Sequence, residues 1–413
     1  MYKIFIINVF FWGSLSLQAQ PDSRLSRGPW RAELTRKDGN RIVFNFDVMD
    51  SAGRKIIYIR NATERLRVDD IKSEGDSLVI TLPFFESQLR AVLTGDSLLS
   101  GFWVKRLTAS DQVMDFRAHH NQAARFVPSA THTLADVTGR WAVTFTNPRN
   151  DSKEFSVGEF RQQGSMVTGT FLTTTGDYRF LEGVMDGDSL RLSCFDGGHA
   201  FLFTAKVNAD QSITGGLYFS GPVARQYWTA RRDEQASLPD EFSLTRMKPG
   251  QTRLDFSFRN LEGKTVSLSD ARFKNKVVVL QIMGSWCPNC MDETAFMSGL
   301  YDRYKGRGLE IVGIAYERST DFDRSVKSLQ SFQQRFGVQY PILITGVSVN
   351  DSLRSEKTLP QLEKIVGFPT TIFIDRSGQV QKIHTGFNGP GTGIHYEQEK
   401  KVFIRTIDAL LAP

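Results

Sequence analysis

The chain has 413 residues, too many for one ordinary core, and its 40% hydrophobic and 23% charged residues are those of a globular protein, which excludes extensive disorder. Its 51 basic and 45 acidic side chains leave a net charge of +6. The charges are dispersed without a lysine/arginine block, so nucleic acid is not an expected partner and the basic balance reads as a solubility property.

Only 14 prolines and 3 cysteines occur, against a proline-rich stalk and a disulfide-stapled scaffold, while 31 phenylalanines and 34 glycines favour strands and tight turns. The first nineteen residues read as an address. Met1-Tyr2-Lys3 is a short positive start, residues 4–17 are apolar apart from Asn8 and two serines, and Leu17-Gln18-Ala19 offers a small residue for cleavage before Gln20. The apolar stretch is short of the ~20 residues that span a hydrocarbon core, so residues 1–19 are expected to be a secretory signal peptide, with an uncleaved anchor as the alternative. No cysteine follows the stretch, which argues against a lipoprotein anchor. The mature chain is expected to be soluble and extracytoplasmic, in the periplasm or an equivalent compartment where disulfides form.

Two similar β units are expected over 27–120 and 137–232. Gly28-Pro29-Trp30 recurs as Gly139-Arg140-Trp141, Gly75-Asp76-Ser77-Leu78 as Gly187-Asp188-Ser189-Leu190, and Phe116-Arg117-Ala118 as Trp228-Thr229-Ala230. Each unit contains about eight short alternating segments. In the second they cover 140–146, 155–162, 166–173, 178–184, 190–195, 200–207, 212–219 and 226–231, punctuated by Gly164, Gly176-Asp177, Gly187-Asp188 and Gly197-Gly198. Eight sequential strands suit an up-and-down barrel, and the Gly-x-Trp start resembles that of lipocalin- or streptavidin-type barrels. A sandwich spanning both units is the alternative. Cys194 shares the phase of Leu190 and Leu192, so it is expected to be an inert core thiol. His119, His120 and His199 lack metal-ligand spacing and read as strand-end polar residues.

A linker is expected over 233–250, marked by Ser237-Leu238-Pro239-Asp240 and Lys248-Pro249-Gly250. Strands at 276–283, 309–316, 370–375 and 380–384 then alternate with helices at 288–304, 324–336 and 400–411, which predicts a mixed sheet with helices on both faces over 251–413. The fold class is thus multidomain, a tandem all-β region followed by an α/β domain.

Gly284-Ser285-Trp286-Cys287-Pro288-Asn289-Cys290 stands where the first of those strands meets a helix. Cys-x-x-Cys beside a βαβ pattern reads as a redox dithiol: residues i and i+3 are neighbours on one turn, within disulfide reach. The first cysteine falls at the helix N-terminus, where free N–H groups and the dipole favour a thiolate, and Pro288 suits the first helical position. A zinc site would need two further ligands; there is no second cysteine pair and no histidine follows until His384, so no metal is expected.

Residues 251–413 resemble the thioredoxin fold, and more narrowly the TlpA/ResA-type extracytoplasmic thiol–disulfide oxidoreductases. The resemblance rests on Trp286-Cys287-Pro288-Asn289-Cys290, on Gly367-Phe368-Pro369-Thr370 ahead of a strand, and on Leu261-Glu262-Gly263-Lys264-Thr265-Val266-Ser267-Leu268. It implies a redox-active Cys287–Cys290 disulfide, a cis peptide before Pro369, and a substrate-binding face of Trp286, Phe368 and Pro369. Gln281 stands where cytoplasmic thioredoxins carry a buried aspartate, whereas Glu293 matches a glutamate of the TlpA/ResA group and is expected to take the proton of Cys290; a solvated helix glutamate is the alternative. Ala295 replaces a helix-kinking proline, and Gly386 matches a glycine that admits backbone to the active site. The loop 386–393 lacks the lysine of a phosphate-binding loop. The long insertion 346–364 is expected either to flank the cleft or to be a solvated loop.

The expected function is reduction of disulfides in exported client proteins, Cys287 attacking and Cys290 resolving, with a membrane thiol donor restoring the pair and no cofactor. The alternative is a β-barrel binding or adaptor protein whose redox domain only serves or senses its own partner. Leu280 and Gly284 occupy the places where a peroxiredoxin would carry proline and threonine or serine, against a peroxidase.

Overall fold

The computed structural model describes residues 24–83, 86–107, 110–129 and 135–412, so the expected signal peptide lies outside the described residues. The first unit runs through β1 (Gly28–Thr35), β2 (Arg41–Ser51), β3 (Arg54–Asn61), β4 (Glu64–Val68), β5 (Asp70–Glu74), β6 (Ser77–Thr81), β7 (Ser87–Thr94), β8 (Leu98–Lys105) and β9 (Gln112–His120). Each strand pairs antiparallel with its sequence neighbour, except that β4 and β5 are left as edges, and β1 pairs with β9. The unit is an up-and-down barrel open along one seam. It has nine strands where about eight are expected, because the chain between β3 and β6 splits into two five-residue strands. Arg65, Arg67, Asp70, Lys72 and Glu74 line those edges, and charge on an edge opposes further pairing.

The second unit runs through β10 (Gly139–Thr146), β11 (Lys153–Gln163), β12 (Met166–Thr173), β13 (Gly176–Asp177), β14 (Leu181–Asp186), β15 (Ser189–Phe195), β16 (Ala200–Val207), β17 (Ser212–Ser220) and β18 (Ala224–Arg232). Pairing of β11 with β12 closes it fully, and the two-residue β13 is an appendage on β12. The strand expected over 178–184 starts later, at Leu181. Each unit has its own core, which excludes one sandwich across both. The repeated Gly-x-Trp has one structural job. Gly28 and Gly139 stand at φ of 122° and 109°, conformations that favour glycine. Trp30 then donates its indole N–H to Ser26 O at 3.0 Å, and Trp141 donates to Val137 O at 2.9 Å. Cys194 is buried with Leu190 and Leu192 in the second core, and burial pushes its thiol pKa well up. His120 meets Arg27 O, and His199 meets Asp196.

The third unit contains β19 (Ser257–Asn260), β20 (Thr265–Ser267), β21 (Val277–Met283), α1 (Pro288–Tyr304), β22 (Leu309–Ala315), α2 (Phe322–Phe336), β23 (Ile342–Ile344), α3 (Arg354–Thr358), β24 (Thr370–Ile374), β25 (Val380–Thr385) and α4 (Ile394–Leu411). The sheet order is β20-β19-β23-β22-β21-β24-β25, with β21, β22 and β23 parallel. Every residue of β21 is buried, as suits a continuous apolar run at the centre of a sheet. The long helices α1, α2 and α4 share one core with Val277, Val279 and Met283. The opposite face, carrying Val278, Leu280 and Ile282, is covered mainly by chain around Leu254, Phe256, Leu359, Leu362 and Ile365, with the short α3 nearby. The expectation of helices on both faces is therefore met unequally. The crossovers β21-α1-β22 and β22-α2-β23 advance in one direction across the sheet, and the right-handed rule for such connections puts both helices on the same side.

Buried polar contacts join the first two units, and part-buried ones tie the second to the third. The turn between β15 and β16 seats on the end of the first barrel: Asn61 donates to Phe195 O at 2.8 Å, Ser87 to Gly197 O at 2.5 Å, and Phe195 stacks on Phe44 at 4.1 Å. Residues 233–250 run along the third unit, where Lys248 N donates to Gln361 O at 2.8 Å and Glu363 N to Arg246 O at 2.9 Å.

Candidate active site

The end of β21 delivers the chain to Cys287, which caps α1. Its Sγ accepts the N–H of Cys290 at 3.2 Å, and Pro288 opens the helix where its missing N–H costs nothing. Cys287 and Cys290 form a disulfide with Cα atoms 5.2 Å apart. Ser285, just before the motif, donates its backbone N–H and hydroxyl to the two carboxylate oxygens of Glu317 at 2.8 and 2.7 Å. Glu317 thereby ties the motif loop to the end of β22.

The structure brings Trp286 and Phe368 together beside this motif. Their rings meet edge to face at 5.6 Å, and Trp286 donates its indole N–H to Tyr316 O at 2.8 Å. Phe368 and Pro369 are joined by a cis peptide. Arg318 lies over the Trp286 ring at 5.4 Å and Arg354 over the Phe368 ring at 5.5 Å. Arg354 comes from the insertion 346–364, so that segment flanks the cleft as one of its two sequence readings held.

Beneath the disulfide lies a buried polar group. Glu293 is 0% exposed. Its Oε2 accepts from Gln281 Nε2 at 2.7 Å and its Oε1 from the Thr371 hydroxyl at 2.5 Å. Gln281 Nε2 also reaches Cys290 O at 3.5 Å, and Gln281 Oε1 accepts from Tyr340 OH at 3.3 Å. Burial pushes the Glu293 carboxyl up to about 7, against the hydrogen bonds from Thr371 and Gln281 that favour its charged form. The alternative of a solvated glutamate is thus excluded by its surroundings.

Cys287, expected to be the attacking cysteine, is only 3% exposed in the disulfide form, beside 0% for Cys290. The second β unit covers its surroundings. Asn289, inside the motif, donates to Asp177 Oδ1 at 3.1 Å, and Gly389 N donates to the same oxygen at 2.7 Å. A cleft of about 180 Å³ remains between the barrel mouth and the motif, lined by Thr175, Tyr178, His199, Phe201, Pro288 and Asn289.

Arg179 holds this junction. Its guanidinium bonds Asp292 of α1, lies 3.2 Å from Glu64 of the first unit and 3.7 Å from Asp196 of its own unit. Burial works against its charge, but the surrounding carboxylates, Asp292 foremost, hold its pKa well above the ordinary value. Burial, with Asp177 and Glu64 close by, pushes the Asp292 carboxyl up to about 7 against the pull of Arg179. Sequence reasoning missed Asp177, Arg179, Asp292 and Glu317. The only local signal was Gly176-Asp177, which reads as a turn and does serve as one.

Residues 249–383 match the AhpC/TSA family. The thiol-disulfide oxidoreductase ResA of Halalkalibacterium halodurans is 31% identical over 140 residues, covering 34% of this chain and 69% of that protein. ResA of Geobacillus kaustophilus is 32% identical over 142 residues, covering 34% of this chain and 72% of that protein. Among solved structures, a thioredoxin-family thiol:disulfide interchange protein from Chlorobium tepidum TLS is similar over 40% of this chain and 98% of its own, at 23% identity and a TM-score of 0.30.

Proposed function

Since the chain belongs to the ResA-type thiol-disulfide oxidoreductases, we propose that it is an exported reductase of client-protein disulfides, acting through Cys287 and Cys290. The observation that carries this reading is the Cys287–Cys290 pair at the N-terminus of α1, above a buried carboxyl held by Gln281 and Thr371. Export to an extracytoplasmic compartment rests on the signal-like pattern of residues 1–19.

In the reduced enzyme the Cys287 thiolate, favoured by the helix end, attacks a client disulfide. The client S–S bond breaks, one client sulfur leaves as thiolate, and a mixed disulfide forms on Cys287. Cys290 then loses its proton to Glu293 and attacks Cys287 Sγ. The Cys287–Cys290 bond forms and the second client sulfur leaves as thiolate. Two electrons have passed to the client, and a dithiol donor at the membrane returns two to the enzyme by the same exchange. A carboxyl poised near neutral pH both accepts and releases a proton readily, which suits Glu293 to this step. Trp286, Phe368 and Pro369 form the face on which the client lies.

The test is insulin reduction by the full chain with a dithiol supply. Cys290→Ser should accumulate mixed disulfides with clients, and Cys287→Ser should form none. Trapping by Cys287→Ser, or full turnover without either cysteine, overturns the assignment. The β-barrel adaptor reading predicts no catalytic turnover of an unrelated client.

A further inference from the structure

The segment from β12 to Arg179 packs on the redox unit with unusual closeness. At Gly367, immediately before Phe368, a Cβ would stand 2.3 Å from the Thr175 methyl. At Gly386, whose N–H donates to Pro369 O at 2.8 Å, a Cβ would stand 2.8 Å from Thr174 O. At Gly176, on the hairpin itself, a Cβ would stand 2.0 Å from Asn289 Nδ2. Glycine is therefore required on both sides of this contact, where backbone approaches backbone and side chain without room for a methyl group. The tip of the hairpin lies between the two glycines that flank Pro369 and against the residue between the active cysteines.

The contact is held by polar groups. Asp177 Oδ1 accepts from Asn289 and from Gly389 N, Asp177 Oδ2 accepts from Arg179 N at 2.9 Å, and Arg179 bonds Asp292. Contacts of this kind between units resemble transient interfaces more than a continuous core, and they can open as a unit.

We propose that the hairpin of residues 173–179 is the substrate-specificity element of the redox site: docked, it occupies the place beside Gly367–Pro369 and Gly386 where an extended polypeptide client must lie. A client polypeptide has to displace the hairpin before its disulfide reaches Cys287, whereas a small disulfide needs no such strip of backbone and can use the remaining cleft at Pro288 and Asn289. The docked enzyme therefore favours small disulfides, and polypeptide clients are selected by how well they compete with residues 174–177. This rests on the thiol–disulfide exchange proposed above, with the electron and sulfur balance given there unchanged.

The test compares two substrates in the full chain, a small aromatic disulfide and an unstructured peptide carrying one disulfide. Asp177→Ala removes the acceptor for Asn289 and Gly389 without touching either cysteine. It should raise the ratio of kcat/KM for the peptide to that for the small disulfide about tenfold or more. An unchanged ratio between the substrates overturns the hairpin's role while leaving the exchange reaction standing; failure of the wild type to reduce the small disulfide overturns both. A second measurement needs no change in the hairpin. With the peptide trapped on Cys287 in Cys290→Ser, backbone amides of residues 173–179 should exchange with deuterium at least tenfold faster than in the free variant. Unaltered protection on trapping overturns the proposal even where Asp177→Ala fails to fold.

Discussion

Gln281 Nε2 lies 2.7 Å from Glu293 Oε2, tying the central strand of the redox unit to the helix that carries its cysteines. A glutamine there can donate to a carboxylate and still accept from Tyr340, whereas an ionised aspartate could only accept. The buried acid of the site stands on the helix, four residues after Asn289, which meets the second barrel at Asp177.

Glu293 should make stability fall with rising pH. Its pKa of about 7 in the folded chain lies above the model-compound value of 4.5, so between those pH values the folded state holds a proton that the unfolded state has released. The contribution is fully present below pH 4.5 and lost as pH rises through about 7. Glu293→Gln should match wild type at pH 4 and be more stable at pH 8 by about 3 kcal/mol. Urea unfolding at the two pH values measures this. In the same variant, release of the mixed disulfide should slow about 100-fold while first attack by Cys287 is unchanged. Equal stopped-flow resolution rates from pH 5 to 9 would remove Glu293 from the mechanism.

Thr371→Val keeps the shape of the side chain and removes the hydroxyl that donates to Glu293 Oε1. That bond favours the charged form, so its loss should push the Glu293 carboxyl further up. The pH midpoint of mixed-disulfide resolution should rise by about one unit, the worth of one hydrogen bond to a charged group. A lower plateau rate with an unmoved midpoint would assign Thr371 a packing role only.

Arg179→Ala should destabilise the chain by about 3–5 kcal/mol, since it strips the shared cation from Glu64, Asp196 and Asp292. The deficit should be larger at pH 8 than at pH 5, because protonation of Asp292, already pushed up to about 7, relieves the unpaired charge. A loss independent of pH over that range would show that the guanidinium acts through packing. Calorimetry across pH settles which.

Cys194→Ala should leave turnover within twofold of wild type, as its thiol is buried in the second barrel's core with its pKa pushed well up by burial. Truncating a core thiol to a methyl group leaves a small void, so a loss of about 1 kcal/mol in stability should accompany the unchanged rate. A marked fall in turnover would place Cys194 in the electron path.

The redox unit was legible because its signals are local. Cys287 and Cys290 stand three apart at a strand–helix junction, Pro288 fits the first helical position, and β21 is a continuous apolar run. Glu293 was named from its match to a glutamate of the TlpA/ResA group, and position i+3 on a helix then put it on the face of Cys290. The paired Gly-x-Trp motifs likewise announced two β units, because alternation and glycine punctuation are properties of neighbouring residues. The nine-strand count of the first unit was harder to see: β4 and β5 are short and charged, and charge marks an edge only once it is known which strands have partners.

What the tertiary structure decided is the company each residue keeps. Arg179 and Asp292 are separated by 113 positions, and Arg179 and Glu64 by 115, so nothing in the spacing of either pair distinguishes them from surface charges. The same holds for Thr175 against Gly367 and for Asp177 against Asn289. Periodicity and local motifs determined that two β units and a dithiol domain exist, because strands, helical turns and a Cys-x-x-Cys spacing are set by residues a few places apart. Docking of a barrel hairpin beside Pro369 depends on shape and charge meeting across long loops, which only the folded chain brings together.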